Sequence, residues 1–239
     1  MWVLHRRPWR ESSLLIDLLS VDHGRLAVVA KGARGARSPW RGLAEPFMPL
    51  RADWSKRGEM GTLVGLEADG ARFLLQGRQL WCGLYANELL IRLLGRDDPC
   101  PDIHGAYGRL LLDLRSAASQ AASLRRFEIA LLGDLGVVPD LLYEASSGDA
   151  VVPEGRYYLE PESGVLHAHE SVRHSVSGRG LLVLAGQLAP DPASAAEARQ
   201  IARRLIDHQL AGQPLKTREL FRAQDPGTVQ LTGKESPDE

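Results

Sequence analysis

The sequence predicts an α+β protein: five short strands at the amino terminus forming a small antiparallel β-barrel, followed by a mostly α-helical region. Two patterns carry this reading. The apolar period is 2 over roughly the first eighty residues and 3.6 after Gly77. Turn-forming residues also punctuate the short apolar runs before that point. Closure is the cheapest way for five short strands to lose their exposed edges, which favours a barrel over an open sheet packed on a helix.

A first strand is expected near Trp2 to Arg7. Leu14, Ile16 and Leu18 alternate with Leu15, Asp17 and Leu19, and Leu26, Val28 and Ala30 alternate after the turn Val21-Asp22-His23-Gly24. Gly24 can take the positive φ such a turn needs, so 12–30 reads as a hairpin. Met48, Leu50, Ala52 and Trp54 share one face of a fourth strand, opposite Arg51 and Asp53. Lys56-Arg57-Gly58-Glu59 turns the chain into a fifth, Met60 to Glu67. Residues 1–78 thus form the first domain.

A helix from Leu80 to Leu94 follows, with Gly95 as its expected terminator. Ile103, Tyr107, Leu110, Leu111 and Leu114 make a second helical stripe, and Leu124, Phe127, Leu131 and Leu135 a third, stopped by Gly136 and Pro139. Residues 140–175 are interrupted by Gly148, Pro153, Gly155, Pro161 and Gly164, with a small hairpin expected around Tyr157-Tyr158-Leu159 and Val165-Leu166. Helices from Gly180 to Leu188 and Ser194 to Ala211 complete a second domain, 79–225. A disordered tail is expected at 226–239.

Composition narrows the function. The 239 residues are 44% hydrophobic and 25% charged, enough to bury a sizeable core. No apolar run approaches the length of a membrane span, and the arginine-rich first ten residues lack the apolar stretch of a secretory signal. Two cysteines, Cys82 and Cys100, build no disulfide framework, which points to a reducing cytoplasm. The net charge of −1 divides into +5 over 1–80 and −6 over the remainder. A basic module joined to an acidic one implies that the first meets a polyanion.

Catalytic templates fail in turn. There is no nucleophile elbow, Walker loop or dinucleotide fingerprint. His169-Glu170 is followed by His174, one residue too late for two imidazoles to face one metal from a helix, and the cysteines form no C-x-x-C pair. No catalytic residue, metal or cofactor is assigned.

The segment from Lys31 to Gly42, KGARGARSPWRG, holds four cations and no acid. Its three internal glycines and one proline oppose helix and strand. Lys31, Arg34, Arg37 and Arg41 suit phosphate neutralisation, and Trp40 suits stacking on an exposed base. A merely solvated loop is the plain alternative, and the barrel context tilts the reading toward nucleic acid. Arg6 and Arg7, with Trp9 and Arg10 beside them, extend the same chemistry. On the third helix Arg125 and Ile129 lie one turn apart, off the Leu124/Phe127/Leu131 stripe, where a cation beside an aliphatic would seat an acidic peptide end.

An ordered set of motifs then points further. Ser12 to Ser20, Asp22-His23-Gly24, Ala30-Lys31-Gly32-Ala33-Arg34, Pro46-Phe47, Tyr85 with Asn87-Glu88-Leu89-Leu90, Leu124-Arg125-Arg126-Phe127-Glu128 with Leu131-Leu132 and Leu135-Gly136, and Arg218-Glu219-Leu220-Phe221 together resemble the bacterial RecO family of recombination mediators. The resemblance runs from about Leu4 to Arg222. It implies an amino-terminal five-stranded OB-fold barrel, a helical carboxyl-terminal domain and no catalytic centre. It also implies binding of single- and double-stranded DNA, annealing of complementary strands, including strands coated by single-stranded DNA-binding protein (SSB), and RecA loading together with RecR. By position, the family's pocket for the SSB carboxyl-terminal tail includes Arg125 and Ile129. Some members carry a four-cysteine zinc module where 140–170 lies here; this chain has no cysteine there, so ordinary packing must hold the insert. A protein–protein adaptor and a DNA-end nuclease are the rival readings.

Overall fold

The alternation of the first seventy residues resolves into β1 (Trp2–Trp9), β2 (Ser13–Ser20), β3 (Gly24–Ala30), β4 (Leu50–Lys56) and β5 (Gly61–Ala68). The computed structural model describes residues 1–56, 58, 60–116, 120–169 and 174–219. Arg57, Glu59 and the tail expected at 226–239 lie outside the described residues.

The strands hydrogen-bond in the order β1-β2-β3-β5-β4. All ladders are antiparallel except β3–β5, which pairs in parallel at Val28–Gly61 and Val29–Thr62. The expected closure is incomplete. The outer strands meet at one bridge, Trp2–Pro49, beside which the Met1 amino group donates to Leu50 O at 2.8 Å. A register shift between Val3 and His5 bends β1 there, and beyond it β1 pairs with β2 alone.

β2 is buried on both faces. Ile16 and Leu18 join Val3, Leu26, Val28, Leu50, Leu63 and Leu66 inside the curled sheet. Leu19 instead joins Leu4 and Phe47 in the core of the helical region. Asp17, nearly buried on the same strand, faces Arg25 at 3.7 Å.

The helices are α1 (Gly77–Leu93), α2 (Pro101–Arg115), α3 (Gln120–Asp134), α4 (Gly178–Leu184) and α5 (Pro192–Gln209). Among the described residues none of them is long and apolar enough to cross a membrane. The α2 stripe Ile103, Tyr107, Leu110, Leu111 and Leu114 is fully buried, as its spacing requires. Asp191 caps α5 by accepting from Ala193 N and Ser194 N, both at 3.0 Å, and Ser194 closes the capping box. Gly95 does not end α1: Leu94 leaves the helix in extended conformation, so no left-handed residue is needed. Gly136 does take that role after α3, at φ 68°.

The insert contains the expected hairpin, β6 (Arg156–Glu160) with β7 (Gly164–His167), and just after it a third strand, β8 (Val176–Ser177), too short for alternation to reveal, pairs with β6. Its turn is tied by Glu144, whose carboxylate accepts from Ser146 N and Oγ and from Ser147 N. Those bonds hold the Glu144 carboxyl down at about 2. The Tyr157 ring packs where side chains on Gly155 and Gly178 would sit, and its hydroxyl accepts from Val152 N at 3.1 Å.

Gly24 and Asn87 are among the residues that lock the sheet to the helices. Gly24 is left-handed at φ 61°, and a Cβ there would lie 1.7 Å from Asp98 O. The β2–β3 turn therefore needs glycine for close approach to the α1–α2 connection as well as for its backbone. Asn87 on α1 donates to Leu4 O at 2.7 Å and accepts from Tyr107 Oη at 2.5 Å, all buried. Replacing Asn87 by Leu strands a buried carbonyl and a buried hydroxyl. We expect a loss of about 2 kcal/mol, read as a lower urea midpoint at unchanged slope.

Candidate nucleic-acid interface

The segment 31–49 connects β3 to β4 as a chain of tight turns. Successive bonds, Gly35 N to Gly32 O at 3.0 Å, Ser38 N to Gly35 O at 3.0 Å and Ala44 N to Trp40 O at 3.3 Å, fold it back on itself. It is more structured than a mobile finger, since glycines that oppose helix and strand are the residues turns require. Arg34 N also donates to Ser12 O at 2.9 Å, pinning the segment to the β1–β2 loop.

Lys31, Arg34, Arg37 and Arg41 are all exposed, and among the described residues none is paired with a carboxylate. Arg34 gives one nitrogen to Glu11 O at 2.8 Å and Arg10 O at 3.3 Å, and Arg41 one to Ala36 O at 3.3 Å. Those bonds aim each guanidinium while leaving its other donors for a ligand. Arg7 is likewise exposed on β1. Arg6 differs: it is ion-paired to Glu45 at 2.7 Å, which reduces its worth as a phosphate contact.

Trp40 departs most from expectation. It is half-buried and packs on the core inside the sheet, so part of the ring anchors the turns. Trp9, also half-buried, lies at the end of β1. With Arg10, Ser13, Val29 and Lys31 it lines a cleft of about 500 Å³ at the tip of the β1–β2 hairpin. Its placement follows from strand pairing, Trp9 opposite Ser13 and Leu14 opposite Ala30, which brings the ends of β1 and β3 together around β2. The cluster of cations near the amino terminus was the only linear signal for it.

Arg125 is not a free surface cation. Its guanidinium bonds Glu128 Oε1 at 2.6 Å, and the same oxygen accepts from Tyr85 Oη at 2.8 Å. Glu128 is fully buried, which pushes its carboxyl up, while Arg125, Tyr85 and Arg218 pull it back. Sequence spacing concealed this, because a glutamate one position after the stripe reads as solvated. Ile129 is half-buried against the helical core, leaving a partial apolar face beside Arg125. Arg78 is a further exposed cation, at the start of α1; burial pushes the Cys82 thiol up, and Arg78 and Arg125 pull it back.

Comparison with known proteins agrees with this architecture. Residues 2–69 match the family model "Recombination protein O N terminal" and residues 75–219 match "Recombination protein O C terminal". The DNA repair protein RecO of Methylococcus capsulatus is 41% identical over 93% of this chain and 91% of its own length. The RecO proteins of Alkalilimnicola ehrlichii, 47% identical over 92% of this chain and 89% of the relative, and of Azoarcus sp., 42% identical over 92% and 93%, are similar throughout. From an OB-like amino-terminal sheet, a helical carboxyl-terminal region and likeness over almost its entire length, this chain belongs to the RecO family of DNA repair proteins.

Proposed function

We propose that the chain is a cytoplasmic recombination mediator that works by binding rather than by bond-making. The observation that carries this is the run of exposed cations, Lys31, Arg34, Arg37 and Arg41, none of which is paired with a carboxylate among the described residues, on a segment folded by tight turns. Cations placed this way neutralise phosphates of single or double strands without reading sequence. Two strands so neutralised can approach with their bases free, which is all that annealing requires. Arg7 extends the surface; Arg6 contributes less because Glu45 holds it.

The acidic helical region supplies the partner contacts in this reading. Arg125 and Ile129, joined by Arg78, form the seat for the acidic, hydrophobic tail of SSB. Tail capture raises the local concentration of the basic sheet at SSB-covered DNA, where RecR and RecA act next. Complementary strands coated with SSB should anneal in the presence of this protein, and an SSB lacking its tail should slow the reaction at least severalfold. Equal rates with both forms would remove the tail from the mechanism. Arg78→Glu, at an exposed position, is expected to weaken a tail peptide severalfold while leaving the melting temperature unchanged, as peptide titration and thermal unfolding together would reveal.

A further inference from the structure

We infer that Glu128 is the positioning residue of the Arg125 seat, and that its carboxylate takes up a proton from water when an acidic peptide docks there. The inference rests on the tail-binding reading above and adds a regulation of that same site. Glu128 Oε1 accepts from Arg125 Nη2 at 2.6 Å and from Tyr85 Oη at 2.8 Å, so one buried oxygen ties α3 to α1. That bond holds Arg125 by a single nitrogen. Its other nitrogens have no partner among the described residues, yet none of them is a buried atom left unpaired. With 19% of the side chain exposed, those donors meet solvent, where a partner carboxylate can approach the fork.

A carboxylate docked on Arg125 stands against a second one, Glu128, across a shared guanidinium. Two carboxylates sharing a site resist being ionised together, and the one without water yields first. Glu128 is fully buried, and its Oε2 has no hydrogen-bond partner among the described residues, so that oxygen is open to a proton. The groups facing it come from three elements. They are Arg125 on α3, Tyr85 and the Cys82 thiol on α1, and Arg218 on the 213–219 segment, with Asp207 of α5 ion-paired to Arg218. Burial already lifts the Glu128 carboxyl above its ordinary value, although Arg125, Tyr85 and Arg218 oppose this. A docked carboxylate lifts it further. Binding and protonation therefore favour each other: affinity rises as pH falls through the Glu128 value of the complex and levels off below that of the free protein.

Calorimetric titration of the full chain with an SSB tail peptide tests this, run from mildly alkaline to mildly acidic pH in buffers of different ionisation enthalpy. The unaltered protein should take up protons on binding and gain affinity severalfold toward acid. Glu128→Gln keeps an acceptor for Arg125 and Tyr85 but removes the charge. It should bind severalfold more tightly at neutral pH, with the pH dependence and the proton uptake gone. Tyr85→Phe removes a donor that favours the ionised carboxylate, so the transition should move to higher pH. Peptide binding without proton uptake, a folded Glu128→Gln with the parent's pH profile, or an unmoved transition in Tyr85→Phe would overturn the inference and leave the seat standing. Absence of peptide binding to the folded parent at every pH would overturn both.

Discussion

Replacing Arg34, Arg37 and Arg41 together by alanine should lower single-stranded DNA affinity about a hundredfold at 0.1 M salt. Each lost phosphate contact removes the release of about 0.7 counterion from a single strand, worth about fivefold at that concentration, and three such contacts multiply. The log–log salt dependence should become shallower by about 2. Strand annealing should fall in parallel, while binding of an SSB tail peptide is spared. Stability should change little: the guanidiniums are exposed and bond only carbonyls, and Trp40 with the turn bonds still anchors the segment. A triple variant that keeps full DNA affinity at moderate salt would take the segment out of the interface.

Arg125→Ala should destabilise the fold by about 3 kcal/mol or more, because it leaves the fully buried Glu128 short of its charged partner. The effect has a defined pH dependence. Burial already raises the Glu128 carboxyl above its ordinary value, and losing Arg125 raises it further. Above that folded-state value the unpaired carboxylate destabilises the protein. As pH falls through it, the folded chain takes up a proton that the unfolded chain does not yet bind, and stability is regained. The gap between variant and parent should thus narrow from neutral pH toward acid, as urea midpoints would record. Arg125→Met combined with Glu128→Gln should recover most of the loss, since a buried ion pair is replaceable by neutral groups. A constant gap across pH would mean that Arg125 acts through packing alone. Tail-peptide binding is for this reason better probed at Arg78 than at Arg125.

Much of the fold was legible because burial writes itself as periodicity. The β2–β3 hairpin and the α2 stripe follow directly from which residues must face away from water. Sheet closure was not legible, since β1 pairing with β4 is long-range and a bulge near Val3 decides it. The Asn87-Glu88 motif is structural: Asn87 joins β1 to α2, and Glu88 accepts from Lys216 N and Thr217 N, both at 2.9 Å, tying the 213–219 segment to α1. At the interface, charge was readable and partnership was not. Lys31, Arg34, Arg37 and Arg41 are exposed as their glycine-rich setting implies, but Arg6 is claimed by Glu45 and Arg125 by Glu128, acids distant or hidden in the linear pattern. Trp40 packs for a similar reason: an aromatic among turns gains more by packing on a nearby core than by waiting in solvent.

Single-strand affinity of the unaltered protein, followed through a salt series, bears most directly on whether exposed cations of the amino-terminal sheet hold the polynucleotide. With about four phosphates engaged by Lys31, Arg34, Arg37 and Arg41, log affinity should fall against log salt with a slope of about −2.8 or steeper. Binding indifferent to salt, or none at low ionic strength, would contradict the account.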